Sequence, residues 1–169
     1  MEETTKVLET SVSKEQISKL IRNHVYGSMG VGLIPIPMVD FIGVTGIQLN
    51  MLRKLAAYYD ISFSKEMTKK LVFSLIGGAV PAVSAFPVAS SVKFIPIIGQ
   101  SLGAVSMPVI AGASTYAVGK VFYRHFASGG TFLTFDPEKA RSYYEEMFQK
   151  GKDVVKGMKA EPAKAPAKA

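Results

Sequence analysis

The order of apolar and polar positions divides this chain into stretches of opposite character. From Leu71 to Gly119 the sequence LVFSLIGGAVPAVSAFPVASSVKFIPIIGQSLGAVSMPVIAGASTYAVG carries one charge, Lys93. Each half, 71–92 and 94–119, exceeds the roughly 20 apolar residues needed to cross a bilayer core of about 30 Å. The pattern predicts a helical hairpin in lipid, with Lys93 and Pro96 at its turn. Between Val25 and Leu52 the only charge is Asp40, and Pro35 and Pro37 break the segment. Its halves, 25–34 and 41–52, are each too short to span. They predict a re-entrant hairpin or two half-helices, with Asp40 capping a helix from Phe41 to about Tyr59.

The flanking stretches have helical periodicity with one apolar face. Ser13 and Gln16 fit a capping box. Ile17, Leu20, Ile21, His24 and Val25 then form one stripe. Near the other end, Lys120, Arg124 and His125 suit a helix C-terminus that Ser128-Gly129-Gly130 closes. Asp136 caps a further amphipathic helix over 137–150, with Pro137 in its first position, Gly151 at its stop, and Ala140, Tyr143, Tyr144, Met147 and Phe148 on its apolar face. Residues 1–12 are expected to be loose, and the Lys/Ala/Pro tail over 152–169 has nothing to bury. The expected fold is an all-α, membrane-associated helical bundle over 13–151, with hydrophobic segments at about 25–52, 71–92 and 94–119.

Composition sharpens this picture. At 169 residues, 48% of them hydrophobic, with a mean hydropathy of +0.22, the chain is one domain plus tails. Its net charge of +7 sits in the flanks. Basic residues at each return point favour an even number of crossings with both termini cytoplasmic, in the cytoplasmic (inner) membrane or an internal one, and attraction to anionic lipid. They are not interleaved with aromatics on one groove-facing patch, so no nucleic acid is expected as a partner. The start, MEETTKVLETS, is acidic and polar, unlike a signal peptide. A competing explanation of the apolar stretches is a soluble chain whose central helices are buried in its own oligomer.

Few residues point to chemistry. The chain has no cysteine and no GxxxxGK[ST], GxSxG or HExxH run, and GSMGVG at 27–32 lacks the acidic ribose ligand of a dinucleotide site. His24 and His125, the two histidines, have no nearby carboxylate or thiolate to complete a metal set, so neither a metal nor a cofactor is expected. Asp40 stands out because a carboxylate in an uncharged stretch is costly in lipid. It is either a helix cap or an ion or proton site, with Gln48 and Thr115 or Tyr116 as candidate polar partners. Gly99, Gly103, Gly112 and Gly119 are small residues suited to tight helix packing, the first two as a GxxxG pair.

Two blocks, YGSMGVGLIPIPMVDFIGVTGIQLNMLRKLAAYYDI and VKFIPIIGQSLGAVSMPVIAGASTYAVGKVFYRHFASGG, resemble domain-of-unknown-function family 697. The matching positions are Pro35, Pro37, Asp40, Gln48, Met51 and Leu52, then Pro96, Gly99, Thr115, Tyr116, Ala117, Gly119, His125, Phe126, Gly129 and Gly130. The resemblance covers about residues 15–150. It implies a membrane-associated or multi-pass domain, often fused behind a P-loop GTPase and without established catalysis. Here it stands alone, which implies work with a separate GTPase. The function expected is therefore a non-enzymatic integral membrane protein that self-associates and acts as scaffold, remodelling element or anchor, recruiting cytosolic partners. The alternatives are a small channel or transporter lined by Asp40 and Gln48, and a soluble helical oligomer.

Overall fold

The computed structural model describes residues 2–34, 37–83 and 103–158, with side chains over 13–34, 42–78 and 107–158. Among them are five helices and no strand, as an all-α chain requires. The helices are α1 (Glu2–Val31), α2 (Pro37–Tyr58), α3 (Lys65–Val83), α4 (Gly103–Ala127) and α5 (Pro137–Gly157).

The axis of the bundle is α4, which packs chiefly on α5 and α1 and also on α2. Its Ala113, Ala117, Val118 and Phe122 are completely buried. Gly112 lies against Met29 and Val155, and Gly119 against Ile21 and Met51, so α1 and α5 both run antiparallel to α4. Gly27 meets Ile47 and Gly43 meets Val31, which sets α2 antiparallel to α1. One end of the bundle thus gathers the α1–α2 turn, the start of α4 and the end of α5. The other end holds the turns over 59–64 and 128–136.

That second end is closed by aromatic rings. Phe122 stacks on Phe135 with centroids 4.2 Å apart, and Phe132 meets Phe126 edge-on at 5.0 Å and Phe63 at 5.9 Å. Backbone caps hold the two turns. In the first, Ile61 N donates to Ala56 O at 2.8 Å, with Asp60 left-handed (φ 55°). In the second, Gly130 N donates to His125 O and Gly129 N to Phe126 O, both at 3.0 Å, with Gly129 at φ +86°. Both are paired C-terminal caps that satisfy the last carbonyls. The stop at Ser128-Gly129-Gly130 therefore lies where its residues predict. Asp136 likewise caps α5, accepting from Glu138 N at 3.0 Å and Lys139 N at 3.3 Å, with Pro137 in the first position.

Several expectations change. α1 starts at Glu2, so Ser13 is inside a helix and does not cap it, and His24 is in the body of α1. The stripe beginning at Ile17 nevertheless faces the core, with Ile17, Ile21 and Val25 buried. α2 begins at Pro37, where a proline's missing N–H costs nothing, so Asp40 lies inside its first turns and is not the cap. No described helix is long and apolar enough to cross a membrane, and the crossings expected over 71–92 and 94–119 both run into residues outside the described ones. Lys65, Glu66, Lys69 and Lys70 open α3, and Val72, Leu75, Ala113, Ala117 and Val118 turn into protein rather than lipid. Lys93, Pro35, Pro96 and Gly99 lie outside the described residues. Gly103 is the first residue of α4, and its surroundings lie outside the described side chains.

Gly151 does not end α5, which continues to Gly157. A Cβ there would sit 3.0 Å from Cα and O of Ala113 and 3.1 Å from the Tyr116 ring. The glycine serves close approach of two helix backbones, not chain reversal. Gly151→Ala gains helix propensity of about 1 kcal/mol, yet it forces α4 and α5 apart. We expect a net loss of about 1–2 kcal/mol in urea unfolding, and a more stable variant would show that the contact yields.

Candidate functional site

The interior of this apolar bundle contains a chain of polar side chains that joins four helices. Ser28 (α1) and Thr115 (α4) share a hydroxyl hydrogen bond of 2.7 Å. Gln48 (α2) donates from Nε2 to Ser114 Oγ at 3.2 Å and to Thr115 Oγ1 at 3.3 Å. Ser114 Oγ in turn pairs with the Tyr144 (α5) hydroxyl at 3.1 Å. Ser28 and Thr115 are 0% exposed and Gln48 1%. Burial pushes the Tyr144 hydroxyl's pKa up, opposed by its bond to Ser114, so it stays protonated. These groups occupy one another's hydrogen-bonding capacity, which is what buried polar atoms require. They fix helix register and do not line an open path.

One turn toward the end closed by aromatic rings, His24 donates from Nδ1 to Leu20 O at 2.8 Å, while its Nε2 lies 3.3 Å from Asn50 Nδ2 and accepts from it. Both contacts suit the neutral ring. Burial is the largest influence on its pKa and lowers it, the Leu20 carbonyl opposes this, and Lys54 lowers it slightly further.

His125 is a local organiser at the aromatic end. Its Nε2 donates to Thr131 O at 2.9 Å and lies 3.3 Å from Thr134 Oγ1, its ring meets Phe135 edge-on at 5.1 Å, and Gly130 packs directly on it. The two histidines therefore stand in different parts of the fold. Among the described residues no group of three or more His, Cys, Asp or Glu could hold a metal ion.

Two surface features complete the inventory. At the end shared by the α1–α2 turn and the start of α4, Leu33 (61% exposed), Ile34, Ile42 (68%), Met107 and Ile110 face outward, and Gly32 abuts Pro108. Along the side of the bundle, α1, α4 and α5 enclose a cleft of about 210 Å³, lined by Ile21, Arg22, Val25, Tyr116, Lys120 and Met158 among others.

The structure thus brings Gln48 and Thr115 together, as their polar character in an apolar context suggests, but with each other and with Ser28, Ser114 and Tyr144. Tyr116, the next residue, points instead to the cleft, where Lys120 Nζ stands 5.5 Å from its ring centroid. The side chain of Asp40 lies outside the described residues. Ser28, Ser114, Asn50 and the Arg22–Lys120 cleft went unread in the sequence, although Ser114 stands beside Thr115 in an otherwise apolar helix, and the periodicity places Tyr144 on an apolar face without a role for its hydroxyl. Gly112, Ala113 and Gly119 serve packing within the chain, so their faces are not open for a second copy.

The family model described as "Domain of unknown function (DUF697)" matches residues 1–153. This chain belongs to that family. It is 37% identical over 152 residues to "Magnetosome membrane protein 22" of Magnetospirillum gryphiswaldense, covering 89% of this chain and 78% of that protein. No solved structure matches it significantly. As a family member the chain contributes here a polar register not visible from the family's description, and the register can be tested. Thr115→Val strands Ser28 Oγ and one Gln48 donor in the core, an expected cost of about 1–3 kcal/mol. Adding Ser28→Ala removes one stranded group, so the double variant should lose less than the sum of the singles in urea unfolding. Strict additivity would remove the coupling.

His24 supplies a pH test. Its folded pKa lies below the ordinary histidine value, so the unfolded chain binds the proton first as pH falls. The stability it confers is complete above the ordinary value and is lost on acidification, through about pH 6.5 and below. Unfolding free energy should fall from about pH 7 to 5, and less steeply in His24→Gln. Parallel profiles would show that burial does not hold the ring neutral.

Proposed function

We propose that this chain is a non-enzymatic, membrane-associated helical module that enters lipid with one end of its bundle. The observation that carries this is the outward-facing set Leu33, Ile34, Ile42, Met107 and Ile110, gathered where α1, α2 and α4 meet. A patch of this kind on a folded domain marks a contact with lipid or with another protein. The sequence joining α3 to α4, residues 84–102, has the same character, with Lys93 as its one charge. The similarity to a protein named for a membrane supports lipid as the partner. Attachment is end-on, in place of a hairpin crossing formed by the described helices.

On this reading the polar register is structural and the chain performs no chemistry. Its working surface for cytosolic partners is the charged outer face of α5, where Glu145, Glu146, Lys150, Lys152 and Asp153 follow one another. A second copy and a separate P-loop GTPase are the partners proposed, and the role is scaffold or anchor at the membrane.

The test is alkaline carbonate extraction of membranes from cells expressing the tagged chain. The wild type should stay in the pellet, and Leu33→Asp/Ile42→Asp/Ile110→Asp should move to the supernatant with an unchanged circular dichroism spectrum. A wild type washed out as a defined soluble oligomer would overturn the proposal and make the apolar end a contact between copies.

A further inference from the structure

Lys120 is the first charge in α4 after a run of uncharged residues from Gly103 to Gly119. It is half-buried, and its ammonium lies over the Tyr116 ring in the side cleft. Arg22 lines the same cleft from α1, and Ser18 adds a hydroxyl. Among the described residues the ion pairs are Lys139–Asp136 and Lys150–Glu146, so neither cleft cation has an acidic partner there. Burial alone pushes the Lys120 pKa down, with no acidic neighbour to restore it. A partly desolvated cation without a counter-ion raises the free energy of the folded state, and an anion arriving from outside offsets this.

The rest of the cleft is apolar. Ile21, Val25, Val154 and Met158 line it beside the two cations. About 210 Å³ admits an anionic head with a short stretch of hydrocarbon and excludes a whole lipid. Because Val155 lies against Gly112 and α5 runs toward the start of α4, Met158 lies on the side of the cleft nearest the apolar end. An amphiphile held by its head at Lys120 and Arg22 would therefore extend its chain toward the end proposed to enter lipid.

We propose that this cleft is a binding site for an anionic phospholipid, with Lys120 and Arg22 holding the phosphate-bearing head and Ile21, Val25, Val154 and Met158 the first methylenes of a chain. This rests on the membrane-associated reading above and names a specific ligand for it. The cations act as point and forked donors to phosphate oxygens, and Ser18 is a further donor at the rim.

The experiment uses the full chain in a zwitterionic detergent, labelled with carbon-13 in its methionine methyl groups. It is titrated with monomeric dihexanoyl phosphatidylglycerol and, separately, with dihexanoyl phosphatidylcholine. The expected result is a saturable shift of the Met158 methyl with the anionic lipid and at least roughly tenfold weaker binding of the zwitterionic one. Lys120→Gln and Arg22→Gln should each weaken the anionic lipid roughly fivefold. Arg53→Gln/Lys65→Gln removes two charges from exposed positions outside the cleft and should leave it unchanged. Equal loss in that control would reduce the effect to general electrostatic adsorption and overturn the site, as would equal binding of the two lipids. If glycerol phosphate without acyl chains produces the same shift with the same affinity, the ligand is a free phosphate and the lipid assignment fails. Monomeric lipid binds without a bilayer, so this result is independent of carbonate extraction. A washed-out chain that still binds the lipid would sink only the end-on attachment.

Discussion

The close approach of three helix backbones to α4 is the constraint on which the rest of the structure depends. α1, α2 and α5 all contact α4, and at their crossings α4 or its neighbour offers Gly112, Ala113, Ala117, Gly119 or Gly151. Small residues let the axes come near enough for Met29, Val155, Ile21 and Met51 to lie across bare backbone. A helix enclosed in this way must be apolar on most of its circumference, because it has no solvent face to spare for charge. The lack of charge from Ala111 to Gly119 follows from this position in the bundle, whereas Met107 and Ile110 nearer its start face outward.

Small, uniform apolar surfaces pack in more than one register, and a one-turn slip between α1 and α4 would leave many contacts similar. The Ser28–Thr115–Gln48–Ser114–Tyr144 chain makes such slips costly, since each would strand hydroxyl and amide groups in a core with no water to receive them. Specificity from a few buried polar groups thus complements stability from packing. The aromatic plug of Phe122, Phe126, Phe132 and Phe135 does the same at the end of α4, where ring geometry admits few arrangements. His125 ties that plug to the loop over 128–136 through Thr131 and Thr134.

What the sequence disclosed and what it hid both follow from these causes. Punctuation by local chemistry was legible: the Asp136-Pro137 start of α5, the Gly129 stop of α4 and the Ile17–Val25 stripe depend on neighbouring residues alone. Gly151 was misleading because a glycine one turn from a helix end and a glycine at a helix crossing look alike in one dimension. Asp40 was similarly ambiguous, since Pro37 can open a helix as readily as it breaks one. The apolar run over 71–119 was read as lipid-facing because hydropathy measures how little charge a helix carries and not what surrounds it. For the described residues the surroundings are α1, α2 and α5. Gln48 and Thr115 could be picked out as odd polar residues, but their partners depend on helix directions that no local pattern contains.

The geometry of the apolar end also limits how far a membrane could receive this bundle. Val155 is level with Gly112, and charged residues continue along α5 as far as Lys156. Among the described residues, only the α1–α2 turn and the first turns of α4, about Gly103 to Ala111, lie beyond that level. At 1.5 Å per residue this is about 14 Å, well short of a hydrocarbon core of about 30 Å. The described part of the proposed attachment therefore reaches no further than one leaflet, which places Lys152 and Lys156 at the height of the headgroups. Cations at that height are attracted by anionic lipid and resist deeper entry. The side cleft, with Lys120 and Arg22 set back from the apolar end, lies at a depth where a headgroup and not an acyl chain tip would meet it. Charge and cleft position thus favour the proposed end-on attachment over one that buries the charged outer face of α5 in lipid.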